Sequence, residues 1–159
     1  MNANLEATQK QDRKVVLSTL WVFVMFNYVY ADVYTLFFRP VLQPESWKQF
    51  LSGSAGGIQI TEGFVLITAV LMETAIAMVL LSRILNYSAN RWANVFVGAF
   101  HTLFVAWSLL GETPSLYYAF FAAVEIACTL FIVWYAWQWR IHGARAKDAA
   151  PAARAPTPI

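Results

Sequence analysis

The stretch LWVFVMFNYVYADVYTLFF, Leu20 to Phe38, decides what kind of protein this is. It is apolar and aromatic enough for hydrocarbon, yet it holds Asn27, Asp32 and the tyrosines Tyr28, Tyr30 and Tyr34. An apolar run of this length reads as a bilayer-crossing helix, since about 17–25 residues rising ~1.5 Å each cover the hydrocarbon core. Polar groups in such a helix are costly and turn toward other helices rather than lipid.

Three similar runs follow, and with the first they cover 15–37, 60–82, 92–110 and 115–139. Of 159 residues, 59% are hydrophobic and 13% charged, whereas soluble domains carry roughly 25% charged residues. The charges gather at both ends and in the connections. A β-barrel would need polar–apolar alternation over about ten residues per strand, which these runs lack. The first run is too long for a secretion signal and has no small-residue cleavage site after it. The expected fold is therefore all-α: an integral-membrane, antiparallel four-helix bundle forming one domain, 15–139. An N-terminal segment, 1–14, precedes it. An outside loop, 38–59, joins the first two spans, and an Ala/Pro/Arg-rich tail, 140–159, is expected to be disordered.

Four crossings put both termini on one side. That side holds Lys10, Arg13, Lys14, Arg83, Arg91, Arg140, Arg145, Lys147 and Arg154, against Arg39 and Lys48 opposite. Positive charge marks the cytoplasmic face, so both termini are expected in the cytoplasm of a bacterial cell, with the chain in its cytoplasmic membrane. The basic residues then serve topology, the partner is the lipid bilayer, and a net charge of +2 gives no reason to invoke nucleic acid. Thr113-Pro114 ahead of Ser115 suits a helix start, and Gly111 after Leu110 a helix stop. PESWKQFL, with Pro44 and Glu45 leading, reads as a short surface helix, and SGSAGG as flexible backbone.

Helical spacing shows which polar residues share a face. In the first span Ser18, Trp21, Met25, Tyr28, Asp32 and Thr35 form one stripe, with Tyr28 one turn from Asp32 and within reach of its carboxyl. Glu62 and Glu73 share a face of the second span. Asn94, Gly98, His101, Val105 and Ser108 share one on the third, and Ala122, Glu125, Cys128 and Thr129 cluster on the fourth. Glu73, His101, Glu125 and Asn27 fall at mid-depth and form the candidate intramembrane polar site. Asp32 and Glu62, with Tyr28 in support, form the candidate outer mouth. These groups either fix helix register through hydrogen bonds or line a pocket or path for protons, a cation or a small solute. Glu125-x-x-Cys128 is not repeated on another helix, so no metal site is assigned. Cys128 is alone and in apolar surroundings, which excludes an internal disulfide and argues against a nucleophile. With no haem pair, dinucleotide glycine motif or CxxC, no cofactor and no catalytic residue are assigned, and an enzyme is not the expected class.

The segments LSTLWVFVMFNYVYADV, GGIQITEGFVLITAVLMETAIAMVLLSR, NRWANV and TPSLYYAFFAAVEIACTLFIVWYAWQW together resemble a group of uncharacterised small bacterial four-helix membrane proteins. The resemblance runs from about Leu17 to Trp139. It implies that Asn27, Tyr30, Asp32, Glu73 and Glu125 match the family pattern, whereas His101 lies outside it. Size and helix count are also similar to the DoxX-like membrane proteins, at the level of fold alone. The functional expectation is a multi-pass membrane protein of unknown activity with a polar intramembrane pocket, working as a homo-oligomer or with a partner where transport is involved. The alternatives are a structural or accessory subunit of a larger membrane complex and a membrane redox or quinone-interacting protein.

Overall fold

The structure, a computed structural model, describes residues 2–110 and 113–148, with side chains described for 12–110 and 113–139. Its elements in chain order are α1 (Asn2–Leu42), α2 (Pro44–Leu51), β1 (Ser54–Ala55), β2 (Ile58–Gln59), α3 (Glu62–Ile84), α4 (Tyr87–Ser108) and α5 (Leu116–Asp148). Helices α1, α3, α4 and α5 supply the core, with α4 lying along α5, α1 against both α3 and α5, and α3 against α4. Among the described residues, three stretches are long and apolar enough to cross a membrane: Asp12–Leu42, Glu62–Ile84 and Leu116–Trp139.

Local chemistry sets most boundaries. The Thr61 hydroxyl accepts from the Phe64 amide at 3.2 Å and starts α3, and the Asn86 side chain accepts from the Ala89 amide at 3.0 Å and starts α4. Each satisfies an otherwise orphaned first-turn donor. Leu85 and Asn86 alone connect the two helices, so α4 begins at Tyr87, ahead of the expected start at 92. Pro44 leads α2 as expected. The SGSAGG segment is not loose backbone. Gly56 and Gly57, at φ 56° and 81°, form the turn of a two-residue hairpin that pairs Ser54 with Gln59 and Ala55 with Ile58. Positive φ at both central residues is what a type I′ turn demands, and only glycine adopts it without strain.

Both terminal helices outrun their expected spans. α1 is helical from Asn2 through the 1–14 segment, and residues 140–148, expected to be disordered, continue α5. The remainder of that tail, 149–159, lies outside the described residues.

The inward face of α4 carries Asn90, Arg91, Asn94, Val95, Gly98, His101 and Val105. Its outward face carries exposed Phe96, Phe100, Leu103 and Trp107. That inversion keeps α4 out of the set of sufficiently apolar helices although its 22 residues cover about 33 Å. Gly98 lies at a close contact between α4 and α5. A methyl group there would sit 2.9 Å from Val133 Cγ2 and 3.4 Å from the Thr129 carbonyl oxygen. Beside it the Thr102 and Thr129 hydroxyls bond across the two helices at 2.7 Å.

Gly98→Val should therefore destabilise the fold by ~1–3 kcal/mol, the usual cost of overpacking. Thermal unfolding in nanodiscs checks this, with Phe96→Val on the exposed face as the near-neutral comparison.

Candidate functional site

The polar interior falls into two layers. In the first, the Trp21 indole N–H donates to Asn94 Oδ1 at 2.8 Å, and the Ser82 hydroxyl donates to the same oxygen at 3.3 Å. The Asn94 amide donates to Asn90 Oδ1 at 2.7 Å, and the Asn90 amide donates to the Ser82 carbonyl at 2.6 Å. All four residues are buried, and α1, α3 and α4 meet there. Toward the helix ends, Ser18 donates to the Val79 carbonyl at 2.8 Å and accepts from Arg83 Nε at 3.1 Å. Lys14 Nζ donates to the Leu85 carbonyl at 2.6 Å, placing a cation where the α3 dipole ends negatively. Arg91 is buried between the Trp92 and Trp137 rings, 5.1 and 5.2 Å from their centroids. Lys14, Arg83 and Arg91 thus have specific structural partners as well as any topological role.

The second layer centres on His101, which is fully buried. Its Nδ1 lies 2.9 Å from the Tyr28 hydroxyl and its Nε2 lies 2.9 Å from Thr74 Oγ1. Thr74 spends its one proton on the Leu71 carbonyl at 2.6 Å, so toward His101 it can only accept. Nε2 therefore carries the ring proton and Nδ1 accepts from Tyr28, a tautomer assigned from the network. The chain of bonds Tyr28–His101–Thr74 ends on a backbone oxygen. Trp21 stands edge-on to His101, with centroids 5.6 Å apart, and separates the two layers.

Glu125 enters this layer from α5. It is 5% exposed, and its Oε1 is buried with no hydrogen-bond partner. Tyr28 and Asp32, one turn apart on α1, are its electrostatic neighbours, Tyr28 buried and Asp32 exposed. Tyr28 also has Tyr118 as an electrostatic neighbour, and Tyr118 borders a cavity of about 400 Å³. Thr35, Arg39, Trp107, Ser108 and Tyr117 line that cavity with it, and the hairpin covers it with Ala55, Gly56 and Ile58. Ser108 and Tyr118 share a hydrogen bond of 2.9 Å on its wall, and Gln43 Nε2 donates to the Thr113 carbonyl at 3.1 Å on its rim.

Of the residues expected to cluster, His101 and Glu125 are both buried and share Tyr28 as a neighbour, with no hydrogen bond between the two, and Glu73 is not buried with them. α3 turns Leu71, Ala75 and Met78 inward, and Glu73 lies almost opposite them, exposed. Thr74, which the sequence reading did not single out, is the α3 residue that reaches His101. Asn27 also stays outside the cluster, its amide donating to the Phe23 carbonyl of its own helix at 3.0 Å. Tyr28 bonds to His101 rather than to Asp32. Glu62 is exposed as the first residue of α3, where the positive end of the helix dipole suits an acid, and it does not join Asp32 at a mouth. Tyr118 and Thr102 were the other silent contributors; hydroxyls in apolar runs give little signal until a facing partner is known. Among the described residues no three His, Cys, Asp or Glu side chains are placed to hold a metal ion. Cys128 is buried, with Sγ 3.9 Å from the Leu20 carbonyl.

The arrangement defines a class: a helical protein with an apolar exterior, a polar interior and span-length helices. The chain belongs to DUF6326, a family of unknown function, whose family model matches residues 6–145. No curated protein and no solved structure matches it.

Asn94→Ala should cost ~1–3 kcal/mol for each buried group it orphans, the Trp21 N–H and Asn90 Oδ1 among them. Denaturation in mixed micelles measures this, and Asn27→Ala, which breaks only a bond within its own helix, should be far milder.

Proposed function

We propose that the chain is a multi-pass membrane protein, an antiparallel bundle of four spans with a one-sided polar site opening under the hairpin. The inversion of α4 supports the membrane reading. Large apolar side chains face out along its length while Asn90, Asn94 and His101 are buried, the reverse of the pattern water selects. α4 then counts as the fourth span, its low hydropathy residing in groups that lipid does not meet. The distribution of Lys and Arg favours cytoplasmic termini in a bacterial cytoplasmic membrane, with the hairpin outside.

The observation that carries the functional reading is the buried, unpartnered Oε1 of Glu125. The cavity does not reach it, and Tyr118, two helical turns earlier on α5, is the cavity-lining residue on its side. An ionised carboxylate with an unmet oxygen in a low-dielectric interior is costly. The site is completed when a donor reaches that oxygen: a proton, a small cation or the donor group of a small polar solute. The hydrogen-bond chain stops at the Leu71 carbonyl and Trp21 fills the next layer, so the geometry supports a binding site entered from one side rather than a path through one copy.

With no solute added, the proton is the available donor, and the carboxyl C=O stretch of Glu125 should shift when the nanodisc-embedded chain enters heavy water. Glu125→Gln should remove that infrared band, and Ser108→Trp, which fills the cavity, should slow its exchange. A Glu125 band that never exchanges would rule out access from the hairpin side.

A further inference from the structure

We infer that two copies of this chain pair through α3, with Glu73 of one copy against Glu73 of the other on a two-fold axis along the membrane normal. Glu73 is the midpoint of Glu62–Ile84, the helix of highest mean hydropathy among the three span-length stretches. It is exposed, and among the described residues no hydrogen bond or ion pair reaches it. In the membrane that position is the centre of the hydrocarbon, where an ionisable side chain facing lipid is strongly disfavoured.

The residues around it form a seam. Leu66, Ala69, Glu73, Ile76 and Leu80 follow one another at steps of three, four, three and four, and all five are exposed. That is the 3.5-residue period of two helices wound left-handedly on each other, and a single polar group at one core position of such a seam fixes register and partner number. Leu71, Ala75, Met78 and Ser82, which pack within the chain, lie on the other side of the helix. Ala69 lets the backbones approach closely.

The occupant follows from the chemistry of the group. A carboxyl donates through O–H and accepts through C=O, so two of them related by a two-fold axis satisfy each other reciprocally. The apolar seam residues on either side are self-complementary in the same way, and a second copy brings both at once. The inference rests on the membrane reading above and is independent of the Glu125 site.

The test uses the full chain in carbonate-washed membranes with Cys128→Ser as background. Oxidative cross-linking should join copies carrying Ala69→Cys or Ile76→Cys. It should leave Ile67→Cys, exposed on another side of α3, as monomer. In native mass spectrometry from nanodiscs, Glu73→Leu should shift the population from dimer to monomer. Glu73→Gln should keep the dimer, because a primary amide also donates and accepts. Equal cross-linking at 67 and 69, a dimer unaffected by Glu73→Leu, or capture of a different protein at position 69 would each overturn the pairing. Loss of the chain from the washed membranes would instead remove the membrane reading, and the pairing with it.

Discussion

The hydrogen bond from Trp21 to Asn94 is the constraint on which the rest of the interior depends. Inside a bilayer, burying apolar surface between helices gains little, because lipid tails are as apolar as the side chains they would replace. What selects one packing is the need to satisfy polar groups away from water. The indole N–H of α1 finds its acceptor on α4, and Ser82 of α3 joins the same oxygen. Sliding any of the three helices by one residue would break these bonds together. The Trp21 ring also borders His101 on its other side, so the residue that fixes the helices divides the polar interior into a locked half and an open half.

The difference between the halves is one of remaining hydrogen-bonding capacity. In the asparagine layer the side chains bond to one another and to backbone. Fully satisfied networks of this kind rigidify and specify, and they have little left to offer a ligand. In the histidine layer the imidazole is saturated by Tyr28 and Thr74, but Glu125 is left with a bare oxygen. Buried unsatisfied groups call for a physical reason. Arg91, next to Asn90, also keeps Nε and Nη2 without hydrogen-bond partners, between two tryptophan rings. For Glu125 the proposed ligand is the reason. His101 is then best understood as the anchor that holds Tyr28 in place beside Glu125.

The legibility of these features in the sequence followed how each signal is built. The buried face of α4 was readable because its polar residues recur at helical spacing and the alternative faces are uniformly apolar. Glu125 and His101 were readable for the same reason. Glu73 was misplaced because eleven residues of separation put it on the same face as Glu62 without telling which way that face points. The residues that decide it, Leu71, Ala75 and Met78, look as suited to lipid as Leu66 or Leu80. The start of α4 was set too late because Asn90 and Arg91 are polar, and polarity in a single chain does not distinguish a surface loop from a buried network. Tyr28 was given Asp32 as partner because the two are one turn apart on one helix. His101, from a helix far off in sequence, was nearer, and no spacing rule reaches across helices.

Glu73 and Glu125 make the limit of single-chain reasoning concrete. Both sit near the middle of their helices, both are flanked by apolar and small residues, and nothing local separates them. Folding separates them: one is buried with Tyr28 as a neighbour within its own copy, and the other is exposed. A carboxyl at the bilayer centre cannot remain unpartnered in either place without cost. On the proposed membrane reading, the donor for the inner carboxyl is a small species, and the outer one, with no water around it, calls for another transmembrane surface. On that reading the same residue type therefore marks a ligand site in one case and a contact between copies in the other, and the deciding quantity is which way seven residues of α3, Leu71 to Ala77, are turned.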